Sequence, residues 1–133
     1  MNLVFADTFY YCAFLNRQDA HHEQVLRLAQ SLEARLLTTG WVLTELADGL
    51  SGPRWRRGVA EVVQDAMRNP GVIFVAPDLE LFSERLDLYT RRPDKEWSLT
   101  DCISFVVMQR HHVADALTAD HHFEQAGFNI LLK

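Results

Sequence analysis

The chain has 133 residues, 48% of them hydrophobic and 23% charged, with only six glycines and four prolines. This composition excludes a collagen-like, linker-like or disordered chain, and the length predicts one domain over 1–133 that needs no disulfide staples. Eighteen acids against thirteen bases leave a formal charge of −5, which on its face argues against a protein built to coat nucleic acid.

The first apolar run, Leu3-Val4-Phe5-Ala6, predicts a strand, and Asp7 follows it directly. Phe9–Leu15 is apolar all round and predicts the start of a fully buried helix. Val25, Leu28, Ala29 and Leu32 then recur at helical spacing and make one stripe. Leu36-Leu37 is the second strand and the weakest, with a helix beginning near Trp41. Ser51-Gly52-Pro53 separates two helices, and Asn69-Pro70-Gly71 precedes a third strand at Val72–Ala76. Leu79, Phe82, Leu86 and Tyr89 form another helical stripe. After the polar loop Arg91-Arg92-Pro93-Asp94, Ser98 opens a helix carrying Leu99, Ile103, Val106 and Val107. The fourth strand runs from Val113-Ala114 to Ala116-Leu117, broken by Asp115. A short helix, His121–Ala126, is closed by Gly127, and Ile130-Leu131-Leu132 is the last strand. Short continuous apolar runs suit strands covered on both faces. Their alternation with helices predicts an α/β fold with a central parallel sheet and right-handed crossovers.

Cys12 and Cys102 lie within apolar runs and are expected to be reduced, buried and cytoplasmic. Met1 to Phe9 carries no basic residue, which argues against a signal peptide. The longest apolar run, Phe9–Leu15, falls far short of the about 18 residues of a membrane span, so no membrane partner is expected.

The carboxylates fall into a pattern in this layout. Asp7 ends the first strand and Asp120 follows the fourth by three residues. Glu45 lies a turn into the helix after the second strand, and Asp101 sits in the first turn of the Ser98 helix. In a parallel sheet the carboxyl ends of all strands share one edge, where ligands bind. Each acid also has a purely structural reading. Asp101 completes a Ser98-Leu99-Thr100-Asp101 capping box, Asp120 and Asp7 precede helices as caps, and Glu45 is a solvated surface residue. Asp7 and Glu45, however, are flanked almost wholly by apolar residues. Carboxylates converging at low dielectric repel one another until some are protonated. A hard divalent cation removes that repulsion, and an oxygen-held Mg²⁺ or Mn²⁺ with open waters suits phosphodiester cleavage.

Five blocks, in order along nearly the whole chain, resemble the PIN-domain proteins of the VapC-like toxin type. They are Phe5-Ala6-Asp7-Thr8; Leu15-Asn16-Arg17-Gln18-Asp19-Ala20-His21-His22; Thr38-Thr39-Gly40-Trp41-Val42-Leu43-Thr44-Glu45-Leu46; Asp94-Lys95-Glu96-Trp97-Ser98-Leu99-Thr100-Asp101-Cys102; and Ala116-Leu117-Thr118-Ala119-Asp120-His121-His122-Phe123-Glu124-Gln125-Ala126-Gly127-Phe128. The resemblance implies a three-layer α/β/α sandwich with four to five parallel strands, a divalent-metal site and endoribonuclease activity. It implies that Asp7, Glu45, Asp101 and Asp120 are the metal-binding, catalytic acids, the set already gathered at the sheet edge. Phe9 departs from the family, many of whose members have a small residue there, and implies a narrower mouth. Asp115 matches no family acid.

The reaction expected is metal-assisted hydrolysis of single-stranded or looped RNA, with Mg²⁺ or Mn²⁺ held by Asp7, Asp101 and Asp120. Glu45 is expected to ligate a metal or orient the attacking water. As a toxin the chain would meet a small antitoxin, and the family implies a homodimer. His21-His22, His111-His112 and His121-His122 invite a zinc reading, but neighbours on a helix point about 100° apart and chelate poorly. Eleven of the thirteen bases are arginine. Arg54, Arg56 and Arg57 cluster around Trp55, and Arg91 and Arg92 lead toward Asp101, a composition that suits RNA or simply a solvated face. The alternatives are a catalytically silent RNA- or protein-binding scaffold and a housekeeping RNA-processing nuclease. A phosphatase or phospho-aspartyl receiver fits less well, because no second Asp stands two residues after Asp7 and no Asp ends the third strand.

Overall fold

The computed structural model describes residues 2–132. Its elements run β1 (Asn2–Ala6), α1 (Thr8–Leu15), α2 (His22–Ser31), β2 (Ala34–Thr39), α3 (Gly40–Gly49), α4 (Arg56–Arg68), β3 (Val72–Val75), α5 (Leu79–Arg91), α6 (Leu99–Arg110), β4 (Asp115–Leu117), α7 (His121–Gln125) and β5 (Asn129–Ile130). The five strands form one sheet in the order β3-β2-β1-β4-β5, and every pairing is parallel. The chain thus winds outward from β1 through β2 to β3, then returns to the other side of β1 for β4 and β5. Around the sheet, α1 packs with α2, α3 and α4, while α6 packs with α5 and α7, giving the three-layer α/β/α arrangement.

The apolar runs become the middle of the sheet. Val4, Phe5 and Ala6 of β1, Leu37 of β2, and Ala116 and Leu117 of β4 are all buried. The weakest run, Leu36-Leu37, extends to six residues, because β2 is hydrogen-bonded to β1 on one side and β3 on the other. Its polar end is paid for internally: buried Thr38 donates from Oγ1 to the Ala6 carbonyl (2.9 Å), and Thr39 Oγ1 caps α3 by accepting from the Val42 amide (3.1 Å). Asp115 does not break β4 but begins it, with Oδ1 accepting from Asn129 Nδ2 of β5 (2.9 Å). Gly127 closes α7 at φ 96°, the left-handed conformation that favours glycine.

Two helical stripes behave differently from expectation. On α6 the apolar positions are not confined to one stripe. Every residue from Asp101 to Met108 except Val106 is buried, and buried Ser104 is satisfied by the Thr100 carbonyl (2.9 Å). On α5 the predicted stripe faces outward, with Leu79, Phe82, Leu86 and Tyr89 all exposed. Leu81, Arg85 and Leu88, also at helical spacing, lie on the covered side. Two stripes of equal period occupy opposite faces of α5, and packing against α6 selected the one centred on Arg85, whose guanidinium is buried with Nη1 donating to Glu84 Oε2 (2.8 Å) and Nε and Nη2 left without a partner among the described residues. Both cysteines are free; Cys102 is buried as expected, and Cys12 only half-buried. No helix among the described residues is long and apolar enough to cross a membrane.

A glycine also fixes how α3 leaves the sheet. A Cβ at Gly40 would overlap the ring of Pro77, just beyond β3, whereas one at Gly49 would meet nothing within 4 Å. Helix propensity favours alanine at both positions. Gly40→Ala is nevertheless expected to destabilise the fold by about 1–3 kcal/mol through overpacking, and Gly49→Ala to be neutral or stabilising. Chemical denaturation of the two variants checks this, and equal stability would show that Pro77 yields freely.

Candidate active site

The winding order reverses between β1 and β4, and Asp7 and Asp120 follow the carboxyl ends of those two strands. Strand-order reversal opens a crevice at the carboxyl edge because the two flanking connections leave in opposite directions. An aromatic cluster holds the elements that converge there. Phe105 of α6 stacks edge-on against Phe123 of α7 and Trp97 of the preceding loop (5.0 Å each), and Phe5 of β1 lies 6.1 Å from Phe123. Trp97 Nε1 donates to Gln125 Oε1 (3.0 Å), fastening the loop before α6 to α7.

Asp7 is buried, with 6% of its surface exposed. It occupies the position of an α1 cap, yet its side chain makes no capping hydrogen bond. Instead Oδ2 accepts from Thr118 Oγ1 across the crevice (2.9 Å). Burial pushes its carboxyl up to about 7; the Thr118 hydroxyl opposes the shift, and the charges of Asp101 and Glu45 add to it. Asp101 does serve as a cap. Ser98 Oγ accepts from its amide and Asp101 Oδ2 accepts from the Ser98 amide, the reciprocal box expected from sequence. The same Oδ2 also lies 3.1 Å from His122 Nδ1. Burial raises its pKa, the Ser98 amide and His122 act against that, and Asp120 adds to it.

Asp120 caps α7 by accepting from the His122 amide (2.9 Å), and its Oδ1 lies 3.5 Å from His122 Nδ1 and 3.7 Å from His121 Nδ1. Glu45 departs from expectation. Val42, Leu43 and Leu46 beside it are buried, but Ala47 and Glu45 itself are exposed on α3, with Glu45 Oε1 accepting from Thr8 Oγ1 (2.5 Å). Asp7, Glu45 and Asp101 are therefore coupled by charge, and Asp101 and Asp120 are joined through His122. Among the described residues, the trio whose ligand atoms all lie within 4.8 Å is Asp120, His121 and His122. No arginine or lysine among the described residues forms an ion pair with any of the four acids. Sequence reasoning missed Thr8, Thr118 and His122 as supports. The Thr that follows the first acid and the Thr two residues before the last were the available signals. Phe9 stands half-buried with its ring edge-on to His21 (4.9 Å).

Residues 4–129 match the PIN domain model, and the chain belongs to the PIN domain family. It is 31% identical over 129 residues, 95% of each chain, to the 23S rRNA-specific endonuclease VapC20 of Mycobacterium tuberculosis. The crystal structure of that VapC20, described as a sarcin-ricin loop cleaving toxin, superposes with a TM-score of 0.85 at 26% identity, covering 98% of this chain and 99% of the other. FitAcB from Neisseria gonorrhoeae shares the fold, with a TM-score of 0.65 at 16% identity over 96% of each chain.

The raised pKa of Asp7 makes a signed prediction. The folded protein keeps a proton on Asp7 that the unfolded chain releases near the ordinary value of 3.8. The folded state then binds more protons between about pH 4 and 7, so stability without metal falls as pH rises through that window. Asp7→Asn removes the penalty while preserving an acceptor for Thr118. In EDTA the variant should gain on the wild type as pH rises, by on the order of 4 kcal/mol above pH 7. Melting curves across the window test this, and a pH-independent difference would refute it.

Proposed function

We propose that the chain is a divalent-cation-dependent endoribonuclease that cleaves single-stranded or looped RNA as the toxin of a toxin–antitoxin pair. The observation that carries the reading is Asp7, a buried carboxylate coupled to Asp101 and Glu45 with no basic side chain paired to it. An all-oxygen set of this kind fits Mg²⁺ or Mn²⁺. The kinship with VapC20, an endonuclease over nearly the same length, supports the same class of chemistry.

In this reading Asp7, Asp101 and Asp120 hold the cation, directly or through water, and Glu45 ligates it or orients the attacking water. The cation, when bound, would offset the carboxylates and activate water for attack on phosphorus. Thr118 fixes Asp7, Ser98 and His122 fix Asp101, and Thr8 fixes the otherwise mobile carboxylate of exposed Glu45. Exposed Arg54, whose guanidinium lies 4.5 Å from the Trp55 ring, and exposed Arg56 form no ion pair among the described residues and supply phosphate contacts. A groove of about 820 Å³ beside the start of α6, lined by Arg92, Lys95, Glu96, Trp97 and Ser98, offers room for RNA next to the helix that carries Asp101.

Purified Asp7→Asn and Asp101→Asn proteins should keep the fold by circular dichroism and lose RNA cleavage. Chelation should silence the wild type, and Mg²⁺ or Mn²⁺ should restore it. Full activity in either variant sinks the assignment. Activity indifferent to chelation would revive a metal-free reading, and a stable, inactive wild type would favour the scaffold. A cleavage map of total RNA names the target. A small antitoxin remains the expected partner. The exposed Leu79, Phe82, Leu86 and Tyr89 on α5 support the homodimer. Sedimentation should show Phe82→Glu/Leu86→Glu as a monomer; an unchanged dimer would place the contact elsewhere.

A further inference from the structure

The three histidine pairs are not equivalent in space. In the first, His22 Nδ1 contacts the Ala13 carbonyl (2.6 Å); in the second, His111 Nδ1 contacts the Val107 carbonyl (3.0 Å). His22 and His111 therefore each spend a ring nitrogen on backbone, and in the first pair only His21, with Nδ1 3.7 Å from Asp19 Oδ1, faces a carboxylate. In the third, both rings turn to carboxylates. His121 Nδ1 lies 3.7 Å and His122 Nδ1 3.5 Å from Asp120 Oδ1, and His122 Nδ1 lies 3.1 Å from Asp101 Oδ2. The two rings tilt against each other at a centroid separation of 4.5 Å, so the divergence expected of neighbours on a helix does not arise. Both lean on the residue that caps the helix they begin.

These separations resemble the edges of a coordination polyhedron. Ligands about 2.0–2.2 Å from a tetrahedral zinc ion stand roughly 3.3–3.6 Å from one another. Two imidazoles and the Asp120 carboxylate, whose ligand atoms all lie within 4.8 Å of one another, are a donor set that suits zinc, whereas Mg²⁺ takes oxygen. Asp120 Oδ1 is held in place by the His122 amide and retains a lone pair. The side chain of His121 is 71% exposed, so an ion can reach the group from solvent.

We propose that His121, His122 and Asp120 bind one zinc ion, and that zinc there blocks cleavage by withdrawing Asp120 from the hard cation and His122 from its contact with Asp101. The blocking half rests on the nuclease reading; the binding half does not. Zinc occupancy would thus act as an inhibitory input at the same crevice edge, chosen by nitrogen donors that Mg²⁺ does not use.

The test is calorimetric titration of the full chain with Zn²⁺ in excess Mg²⁺, without RNA. The wild type should take up one zinc per chain. His121→Ala, a change at an exposed side chain, should weaken binding at least about tenfold, and His121→Ala/His122→Ala more. His111→Ala/His112→Ala should bind zinc as the wild type does. Asp7→Asn should also keep its zinc, which separates this site from the failure or success of the cleavage assignment. Replacement by Co²⁺ should give visible absorption of nitrogen-ligated cobalt that the His121 variant loses. Equal zinc affinity in wild type and His121→Ala, no zinc uptake by the wild type, or loss of zinc in Asp7→Asn would overturn the proposal.

Discussion

Burying a carboxylate costs free energy unless something nearby compensates it, and the crevice of this protein is organised around one such group. Asp7 ends the central strand at the point where the sheet reverses its winding, beneath the helices that follow β1 and β4. The Thr118 hydroxyl and the Thr8 backbone partly offset the effect of burial, and the charges of two nearby acids add to it. Burial therefore raises the Asp7 carboxyl to about 7, so that the folded chain alone keeps its proton well above the usual carboxylate range, and a cation would convert the same geometry into a favourable one. The parallel sheet makes this unavoidable. All its strands deliver their carboxyl ends to one edge, and only at the reversal do two neighbouring ends open to a ligand.

Helix capping and site building are the same act here. Ser98 and Asp101 close a reciprocal box that starts α6, and that box sets the Asp101 carboxylate where His122 meets it. Asp120 starts α7 and is fixed by the amide of that same His122. The structural and functional readings of these acids, which stand as rivals when only sequence is read, are compatible in space. A carboxylate has enough acceptor positions to bind a backbone amide and still face a ligand. The net charge of −5 takes on a different meaning as a result. With the four acids of the crevice set aside, acids and bases nearly balance over the rest of the chain.

The exposed apolar row of α5 and the enveloped α6 show where reading by period fails. A repeat of three and four residues reports that a helix has an apolar side, not which neighbour covers it. On α5 two sides qualify, and the buried one contains an arginine, Arg85, whose guanidinium is buried along with its stem. On α6 three helices, α5, α3 and α7, pack around it, so polar Ser104 is buried among apolar residues. At the last histidine pair the idealised helix misleads in a related way. An idealised helix separates adjacent side chains, but at a helix start both rings turn toward the capping carboxylate.

The sequence by itself determined the alternation of strand and helix, the parallel sheet, the breaks at Asn69-Pro70-Gly71 and Gly127, and the four acids at one edge. Apolar period, turn chemistry and ordered motifs are local properties, and they survive being read along a line. Only tertiary structure decided that Asp7 is buried while Glu45 is exposed, although both have apolar neighbours in the chain. It alone brought Thr118 to Asp7 across 111 positions and His122 to Asp101 across 21. Burial and long-range hydrogen bonds depend on which elements pack together, and no local pattern records that. The charge balance visible in the composition became a site only when the sheet's winding gathered its acids.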